Sequence, residues 1–593
     1  MRFANAVIAT FAALDFVFIA TAASAQPNRS VALTAGPPIL SNIARIHPVR
    51  ARNGMVVAQE RRAAKIGLEI LRKGGNAVDA AVATGFALAV TLPRAGNIGG
   101  GGFMLVHVAD RKRTTAIDYR ETAPAATRPN VFLDADGNYV RRKSRASGLA
   151  VGVPGTVSGF VLAHARYGSG RFSLAQLVAP AIKLARMGFS VDAGLARSLA
   201  WSARRFVKFP ASRSVFMRST GDGDAPRALR EGELLVQRDL ARSLERIAER
   251  GAKGFYVGET ARKIVAAVAA AGGQMTLADL AGYRARERKP VKGRYRGFSV
   301  VSMPPPSSGG VHVVQMLNIL ESFPLKQYGH NSAAAIHVMT EAMKFAYADR
   351  SKYLGDPDFA PVPVRALTSR SYAAVLRKRI SPDKAIAAAQ IRPGNPLPYE
   401  SGQTTHYSVV DAAGNAVSNT YTLNFTFGLG MVAAGTGILL NNELDDFAAK
   451  PDTPNAYGLL GGKANAPGPR KRPLSSMSPL MVFSEKGALR VVTGTPGGSR
   501  IITTVLQIVL NIIDHGMNAA EATLAPRIHH QWYPDVLRVE QGFSSDTIKL
   551  LEAKGHTVRR GRAIGSTQTI VRRDGLLFGA ADTRRIGAAA LGY

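Results

Sequence analysis

Apolar positions along the chain recur with two periods, and their alternation predicts a mixed α/β protein. Where apolar residues return every three or four positions, a helix is expected, and a short continuous apolar run bounded by glycines predicts a strand. Glycines and capping residues mark the ends of several of these segments. On this basis helices are predicted over residues 58–73, 77–88, 173–188 and 332–349, and a strand over residues 103–107.

The segment from residue 403 to residue 428 predicts a β-hairpin rich in hydroxyl groups. If residues 412–414 form a three-residue loop with Gly414 in the left-handed conformation, Val410 lies opposite Ala416 and Thr404 opposite Thr422. Directly opposed residues share one face of the ladder, and Asn424 is expected two residues further along that face. The register therefore places two hydroxyls and one amide together at the end of the hairpin.

A chemical role for Thr404 follows if the chain is cut between Gln403 and Thr404. A threonine hydroxyl is a weak nucleophile that needs an adjacent base. Cleavage would create an α-amino group on Thr404 itself, with an ordinary pKa of about 7.7–8.0, which can serve as that base. Such a cut would therefore give Thr404 both the nucleophile and its base.

This region resembles the signature of the γ-glutamyltranspeptidases, which are N-terminal-nucleophile hydrolases. The resemblance rests on the Thr404–Asn424 segment with its spacing kept throughout, and it extends over about residues 50–593. Further blocks resemble those of the family: 74–81, 97–102, 119–121, 441–447, 473–479 and 496–500. The resemblance implies a four-layer αββα sandwich shared by two subunits, which are cut from one zymogen by autoprocessing.

The resemblance also implies roles for individual residues. Thr404 would be the nucleophile in both self-cleavage and catalysis, and Thr422 would orient its hydroxyl. Tyr457 lies at the position of the family's gating aromatic, within a lid loop of about residues 447–473. The substrate-binding positions implied are Arg120, Asn424, Glu443, Asp446, Ser475 and Ser476, and the oxyanion hole would use the N–H groups of Gly497 and Gly498.

These residue types suit a γ-glutamyl substrate, whose head carries an α-carboxylate beside an α-ammonium. An arginine such as Arg120 can grip a carboxylate with two hydrogen bonds, and the serine hydroxyls add neutral donors. Asp446, Glu443 and Asn424 can accept from the ammonium group. Taken alone, Arg120 beside Glu121 also fits a plain ion pair.

The N-terminus predicts an export signal that is cleaved after Ala25. Arg2 is followed by a mostly apolar stretch and by the small residues 23–25. We expect a signal peptide over residues 1–25, a disordered leader over 26–50, a large subunit over 51–403 and a small catalytic subunit over 404–593. Residues 380–403 predict an exposed linker that leads to the cut, and the mature protein is expected to be periplasmic or secreted, without a stable membrane span.

Composition removes several other classes of function. The chain has no cysteine, which excludes disulfides, thiol catalysis and zinc–thiolate sites. Its net charge of +35 raises the question of nucleic-acid binding. However, the basic residues form short scattered clusters without interleaved aromatics, which favours loose adhesion to anionic envelope surfaces instead. We expect no metal, no cofactor and no nucleic-acid partner.

The predicted function is a periplasmic γ-glutamyltransferase that also hydrolyses glutathione. Thr404 would form an acyl-enzyme, which is resolved by water or by the amine of an amino acid or dipeptide. Two alternatives from the same superfamily remain open, a cephalosporin or glutaryl acylase and a poly-γ-glutamate depolymerase. A non-enzymatic amino-acid-binding module is the alternative from outside it, and such a module would not cut itself.

Overall fold

The computed structural model describes residues 46–219, 225–393, 405–450 and 453–593. Gln403 and Thr404 lie outside the described residues, as do the signal peptide and most of the leader. The strands, in chain order, are β1 (Val49–Ala51), β2 (Gly54–Ala58), β3 (Gly101–Val108), β4 (Arg113–Tyr119), β5 (Phe189–Ser190), β6 (Met217–Arg218), β7 (Arg227–Ala228), β8 (Leu234–Leu235), β9 (Arg286–Arg288), β10 (Val291–Tyr295), β11 (Phe298–Ser302), β12 (Thr405–Asp411), β13 (Ala416–Thr422), β14 (Val432–Ala433), β15 (Ile438–Leu439), β16 (Leu480–Phe483), β17 (Leu489–Thr493), β18 (Ile528–His529), β19 (Leu537–Val539), β20 (Val558–Arg560), β21 (Gln568–Arg573), β22 (Leu576–Ala581) and β23 (Ala589–Gly592).

Helices occupy the segments between these strands, and short 3-10 turns occur at 148–150, 388–390, 443–446 and 463–465. The helices are α1 (Arg61–Arg72), α2 (Ala77–Thr91), α3 (Arg141–Ala146), α4 (Thr156–Tyr167), α5 (Leu174–Met187), α6 (Ala193–Phe206), α7 (Pro210–Phe216), α8 (Arg238–Arg250), α9 (Lys253–Tyr256), α10 (Glu259–Ala270), α11 (Leu277–Gly282), α12 (Gly309–Leu320), α13 (Leu325–Tyr328), α14 (Ala333–Tyr353), α15 (Val364–Leu367), α16 (Arg370–Arg377), α17 (Arg500–Ile513), α18 (Ala519–Leu524) and α19 (Ser545–Ala553).

Two seven-stranded sheets form the centre of the fold. The first, which we call the hairpin sheet, has the order β23-β2-β12-β13-β3-β4-β9. The other, which we call the second sheet, has the order β1-β22-β21-β17-β16-β11-β10. Alternate residues of the hairpin sheet belong to different cores: Val56 packs with α1, α2 and α5, whereas Val57 packs between the sheets. Helices α12, α14 and α17 pack with the second sheet in the same cluster. The layers are therefore α, β, β and α, as expected.

Both sheets contain strands from before and from after the predicted cut. In the hairpin sheet, β12 pairs with β2 on one side and with β13 on the other, and β13 pairs with β3. The peptide bond before β12 can therefore be cut without separating the two parts, because ladder hydrogen bonds and two shared cores hold them together.

The sequence-derived element boundaries agree closely with the structure. Helix α1 ends at Arg72 just before the two glycines, and Asn76 caps α2 in a capping box with Asp79. Ser173 caps α5 in the same manner, and Gly188 ends that helix.

Two segments near the predicted processing points are more ordered or more buried than the sequence analysis expected. Val49 and Arg50 do not belong to the leader, because they pair with Gly579 and Phe578 as edge strand β1. The described part of the predicted linker is not exposed throughout either, since Ala388 and Ile391 are buried. Within the described ranges, no helix combines the length and the apolar character that crossing a bilayer requires.

Candidate active site

The hairpin that ends at the candidate nucleophile has the predicted register. Val410 pairs with Ala416, and the pairing continues to Thr405 opposite Tyr421. Gly414 has φ of 87°, and Asp411 and Asn415 close the loop with a backbone hydrogen bond of 3.1 Å. Thr405 is the first described residue of this strand, so the predicted pairing of Thr404 with Thr422 lies one position beyond the observed ladder.

The face of the hairpin that turns toward the second sheet is polar and buried. Ser408 and Ser418 donate hydrogen bonds of 2.9 and 3.0 Å to the carbonyls of Gln568 and Thr493. His406 lies between Thr420 and Ser408, and burial lowers its pKa to about 3, which keeps the ring neutral. Thr422 shares this face because strand residues alternate, and it is also buried.

Arg120 is the centre of a buried ionic cluster at the same end of the hairpin sheet. It follows β4, whose last residue pairs with Gly102 of β3, next to the end of β13. Its guanidinium donates to Glu443 through Nη1 and to Asp446 through Nη2, the latter at 2.5 Å. Glu121 is 3.6 Å away, and all four side chains are fully buried.

Burial and charge compete in this cluster. Burial alone would lower the pKa of Arg120, but its three carboxylate neighbours raise that pKa above its ordinary value. Burial raises the pKa of Glu121 to about 7, against the lowering effect of Arg120. Burial likewise raises the pKa of Glu443, and the nearby negative charges of Glu121 and Asp446 add to that rise. The cluster therefore holds more acidic groups than one arginine can neutralise.

Ser475 and Ser476 lie directly beyond Arg120. The guanidinium donates to the backbone carbonyls of Pro473 and Leu474, at 2.9 and 3.1 Å, which fixes the start of the serine segment against it. The Ser475 hydroxyl accepts from the Met477 N–H and so retains a proton to donate.

A buried arginine that the sequence analysis did not single out supports this serine pair. Arg350, on α14, donates to the Ser476 hydroxyl at 2.6 Å and to the Ser308 hydroxyl at 3.0 Å. Ser308 in turn donates to the Ser475 carbonyl at 2.8 Å. Because Arg350 occupies an acceptor position of Ser476, the proton of that hydroxyl is directed elsewhere.

Asn424 differs from its predicted place in the ladder. Strand β13 ends at Thr422, and Asn424 has φ of 71°, a conformation that asparagine tolerates better than most residues. Its N–H donates to the Thr422 hydroxyl at 2.8 Å, and its side-chain amide donates to the Asn442 carbonyl at 2.9 Å. Asn424 thus turns the chain away from the strand and toward the acidic segment.

Tyr457 connects the predicted lid loop to this turn. Its hydroxyl donates to the Asn424 side-chain oxygen at 2.8 Å, and its ring lies edge-on to Phe425, with centroids 5.7 Å apart. Gln531 donates to the Tyr457 carbonyl at 3.0 Å. Burial and the neighbouring acids Asp446, Asp445 and Glu443 raise the pKa of the phenol, so Tyr457 stays a neutral donor.

Gly497 and Gly498 form a turn between β17 and the buried helix α17. Their φ angles of 146° and 64° lie where side chains are disfavoured, which explains the glycine pair. Neither N–H donates to a described residue, although both precede the N-terminus of a fourteen-residue helix. Free N–H groups at such a helix end attract negative charge.

Close packing brings this turn to the start of the hairpin. A Cβ added to Gly494, three residues before Gly497, would lie 2.5 Å from the His406 ring. His406 is in turn adjacent to Thr405 at the beginning of β12. The glycine turn and the N-terminal end of β12 therefore meet at the polar face between the sheets.

Comparisons with known proteins identify the family. The profile of the family described as Gamma-glutamyltranspeptidase matches residues 63–592. The chain is 54% identical over 581 residues to the glutathione hydrolase proenzyme of Escherichia coli strain K12, covering 97% of this chain and 98% of that protein. The chain belongs to the γ-glutamyltranspeptidase family.

Solved structures agree with this membership of the γ-glutamyltranspeptidase family. The cephalosporin acylase from Bacillus halodurans aligns with a TM-score of 0.81 at 29% identity, covering 94% of this chain and 98% of that one. The γ-glutamyltranspeptidase of Helicobacter pylori aligns at 46% identity with a TM-score of 0.54, covering 56% of this chain and 93% of that one. The fold is thus that of an N-terminal-nucleophile hydrolase.

A second ionisable cluster in this γ-glutamyltranspeptidase lies under the segment that precedes the cut. His337, Glu341 and His556 place their ligand atoms within 4.8 Å of one another, an arrangement that could hold a metal. The buried ammonium of Lys344, 2.9 Å from Glu341, already supplies a positive charge there, and it also donates to the Ile386 carbonyl at 2.7 Å. These contacts anchor the described end of the linker.

Proposed function

We propose that this chain is a periplasmic γ-glutamyltransferase and glutathione hydrolase whose nucleophile is Thr404. The observation that carries the proposal is the buried cluster of Arg120 with Glu443 and Asp446 at the end of the hairpin sheet. A site that contains both a guanidinium and carboxylates matches a substrate head that carries a carboxylate beside an ammonium. Membership of the family and the 54% identical glutathione hydrolase proenzyme support the reaction class.

The first step is cleavage of the precursor. The Thr404 hydroxyl attacks the Gln403 carbonyl, the acyl group moves from nitrogen to oxygen, and water hydrolyses the resulting ester. The products are a new carboxylate on Gln403 and a free α-amino group on Thr404. The interleaved strands of both sheets support a stable heterodimer of the two products.

Substrate binding exchanges ion pairs in the cluster. The α-carboxylate would bind Arg120, with the hydroxyls of Ser475 and Ser476 as additional donors. The α-ammonium would bind Asp446 and Glu443, together with the side-chain oxygen of Asn424. Because the incoming group is a zwitterion, the exchange buries no additional net charge, which limits the desolvation cost.

Acyl transfer then takes place at the end of the hairpin. The Thr404 amine accepts the hydroxyl proton as the oxygen attacks the γ-glutamyl carbonyl, and Thr422 orients that hydroxyl. The N–H groups of Gly497 and Gly498 would stabilise the oxyanion, and loss of one such donor typically costs about 10²–10³ in rate. The leaving amine departs with the proton, and an acyl-enzyme remains.

The acyl-enzyme is resolved by water, giving glutamate, or by the amine of an amino acid or dipeptide. Tyr457, held to Asn424 by a 2.8 Å hydrogen bond, would close the lid over the bound glutamyl group. The predicted signal peptide supports a periplasmic location, where both glutathione and such acceptors can be reached.

A second candidate is an acylase that acts on glutaryl side chains, because the cephalosporin acylase from Bacillus halodurans shares the fold over 94% of the chain. A glutaryl group has no ammonium, so an acylase has no use for a buried acidic pair beside Arg120. The cluster therefore favours the γ-glutamyl substrate.

Intact-mass measurement and N-terminal sequencing of the purified protein and of Thr404→Ala test the proposal. We expect two chains, the smaller beginning at Thr404, and a single uncut chain for the variant. The processed protein should release nitroaniline from γ-glutamyl-p-nitroanilide. A single chain in both samples would remove the catalytic amine and overturn the mechanism.

A further inference from the structure

Helix α6 presents a large aromatic side chain to solvent. Trp201 is 78% exposed, whereas Leu195, Leu199 and Phe206 of the same helix are buried in the core. Trp532, the second tryptophan of the chain, is only 8% exposed. Trp201 therefore contributes little to the core, although its indole offers more apolar surface than any other side chain.

Basic residues surround Trp201 on the same face of the helix. Arg197 and Arg204 on α6, and Lys208 in the turn just after it, are exposed and recur with Trp201 at intervals of three or four residues, so they form one stripe. No acidic side chain of the described residues lies within ion-pair distance of these three. The segment 193–219 contains six Arg or Lys and no Asp or Glu.

Two exposed aliphatic residues extend the stripe at its ends. Ile586, which is 45% exposed, packs against Gly194, seven residues before Trp201. Val207, which is 43% exposed, lies beside Lys208 at the other end. At 1.5 Å per residue the stripe from Gly194 to Lys208 is roughly 20 Å long. We name the surface of Ile586, Arg197, Trp201, Arg204, Val207 and Lys208 the α6 stripe.

The α6 stripe belongs to a rigid part of the protein. Arg205, four residues after Trp201, donates to the carbonyls of Thr426 and Gly428 at 2.6 and 2.9 Å. Ser212, on the following helix, donates to the Gly430 carbonyl at 2.9 Å. The helix is thus fixed to the segment that follows the hairpin, and the stripe can dock as a preformed surface.

The chemistry of the stripe fits one class of partner. Tryptophan prefers the boundary between lipid headgroups and acyl chains, and Arg or Lys beside it pair with lipid phosphates. A single-stranded nucleic acid would instead favour a series of stacking aromatics, and the stripe has one. The net charge of +35 supplies long-range attraction to an anionic surface.

We propose that the α6 stripe docks this protein on the surface of an anionic phospholipid bilayer, with Trp201 inserted at the level of the headgroups. The bound protein lies on the membrane and does not span it. Adhesion to anionic envelope surfaces, which the overall charge led us to expect, would then be concentrated on one helix face.

Co-sedimentation of the processed protein with vesicles tests the charge component. Vesicles of phosphatidylcholine with one quarter phosphatidylglycerol should bind the protein, and pure phosphatidylcholine vesicles should not. Each basic residue near such a surface is worth about fivefold in partition, so the triple variant Arg197→Gln/Arg204→Gln/Lys208→Gln should bind about a hundredfold more weakly. The matched control Lys549→Gln/Arg559→Gln/Arg562→Gln removes three other exposed charges and should change binding less than about fivefold.

Iodide quenching tests the insertion of Trp201. Iodide should quench the fluorescence of the exposed Trp201 and not that of Trp532, which is shielded. The variant Trp201→Phe measures how much of the quenched fluorescence comes from Trp201. Anionic vesicles should protect Trp201 from iodide, and Trp201→Ser should weaken binding without changing release of nitroaniline. Three results would each overturn the proposal: equal losses of vesicle binding for the two triple variants, no protection of Trp201 in the bound state, or a stripe that is needed for binding single-stranded DNA but not for binding vesicles.

Discussion

The substitution Asp446→Asn distinguishes two possible activities of this site, that of a γ-glutamyl enzyme and that of a glutaryl acylase. Asp446 is fully buried and 2.5 Å from Arg120, so water does not screen its charge. At an effective dielectric constant of about 20, a pair of unit charges about 3 Å apart interacts by roughly 5 kcal/mol. The amide keeps a neutral hydrogen bond to the substrate ammonium worth about 1 kcal/mol, and desolvation offsets part of the remainder. A loss of about 2–4 kcal/mol in transition-state binding follows.

In kinetic terms, kcat/KM of Asp446→Asn for γ-glutamyl-p-nitroanilide should fall about 30- to 1000-fold. Glutaryl-p-nitroanilide, which lacks the ammonium, is the matched substrate, and its kcat/KM should change less than about fivefold. Gel electrophoresis must first show that the variant is fully processed. Equal losses for the two substrates would mean that Asp446 acts only through the structure of the cluster, and the ion-pair exchange would be refuted.

Three further variants test the remaining parts of the site. Arg350→Lys keeps the charge but loses the two-pronged contact, so KM for γ-glutamyl-p-nitroanilide should rise about tenfold, for a loss of about 1.5 kcal/mol, with kcat nearly unchanged; a fall confined to kcat would contradict this. Gly494→Ala should destabilise the fold by about 1–3 kcal/mol and slow processing, measured by thermal unfolding and gel electrophoresis, whereas Gly561→Ala, with nothing within 4 Å, should do neither. Glu121 has its pKa raised from 4.5 to about 7, so its ionisation lowers stability as pH rises through that range, and Glu121→Gln should flatten the pH dependence of urea unfolding there; an unchanged slope would refute the raised pKa.

The hairpin could be predicted from the sequence because its signals are local. A strand period of two, together with Gly414 in a three-residue loop, fixes which residues face each other across β12 and β13. The same holds for helix ends such as the Asn76 capping box, whose partners are three residues apart. Asn424 departs from the pattern because a residue just past the strand follows its own side-chain hydrogen bonds and not the ladder.

The partners of Arg120 could not be predicted by the same reasoning. The adjacent Glu121 offered a plain ion pair, yet the closer contacts are to Glu443 and Asp446, more than 300 residues away along the chain. Arg350 was missed for the same reason: on α14 it reads as one more basic residue of a helix. Helix α14 carries several polar and charged residues, so its sequence does not mark Arg350 as buried. The structure leaves Arg350 only 1% exposed, and an arginine at such a position needs partners.

The three carboxylates around Arg120 outnumber its single positive charge, and this excess explains why a zwitterion suits the site. Three buried carboxylates face one guanidinium, and burial raises the pKa of at least two of them, so the cluster by itself resists full ionisation. A ligand that brings only a carboxylate would compete with these acids for Arg120 and leave them without a cation. A ligand that brings an ammonium as well compensates them as it takes the guanidinium. In the proposed binding mode, selectivity for the α-amino acid head therefore follows from the unmatched acids as much as from the arginine itself.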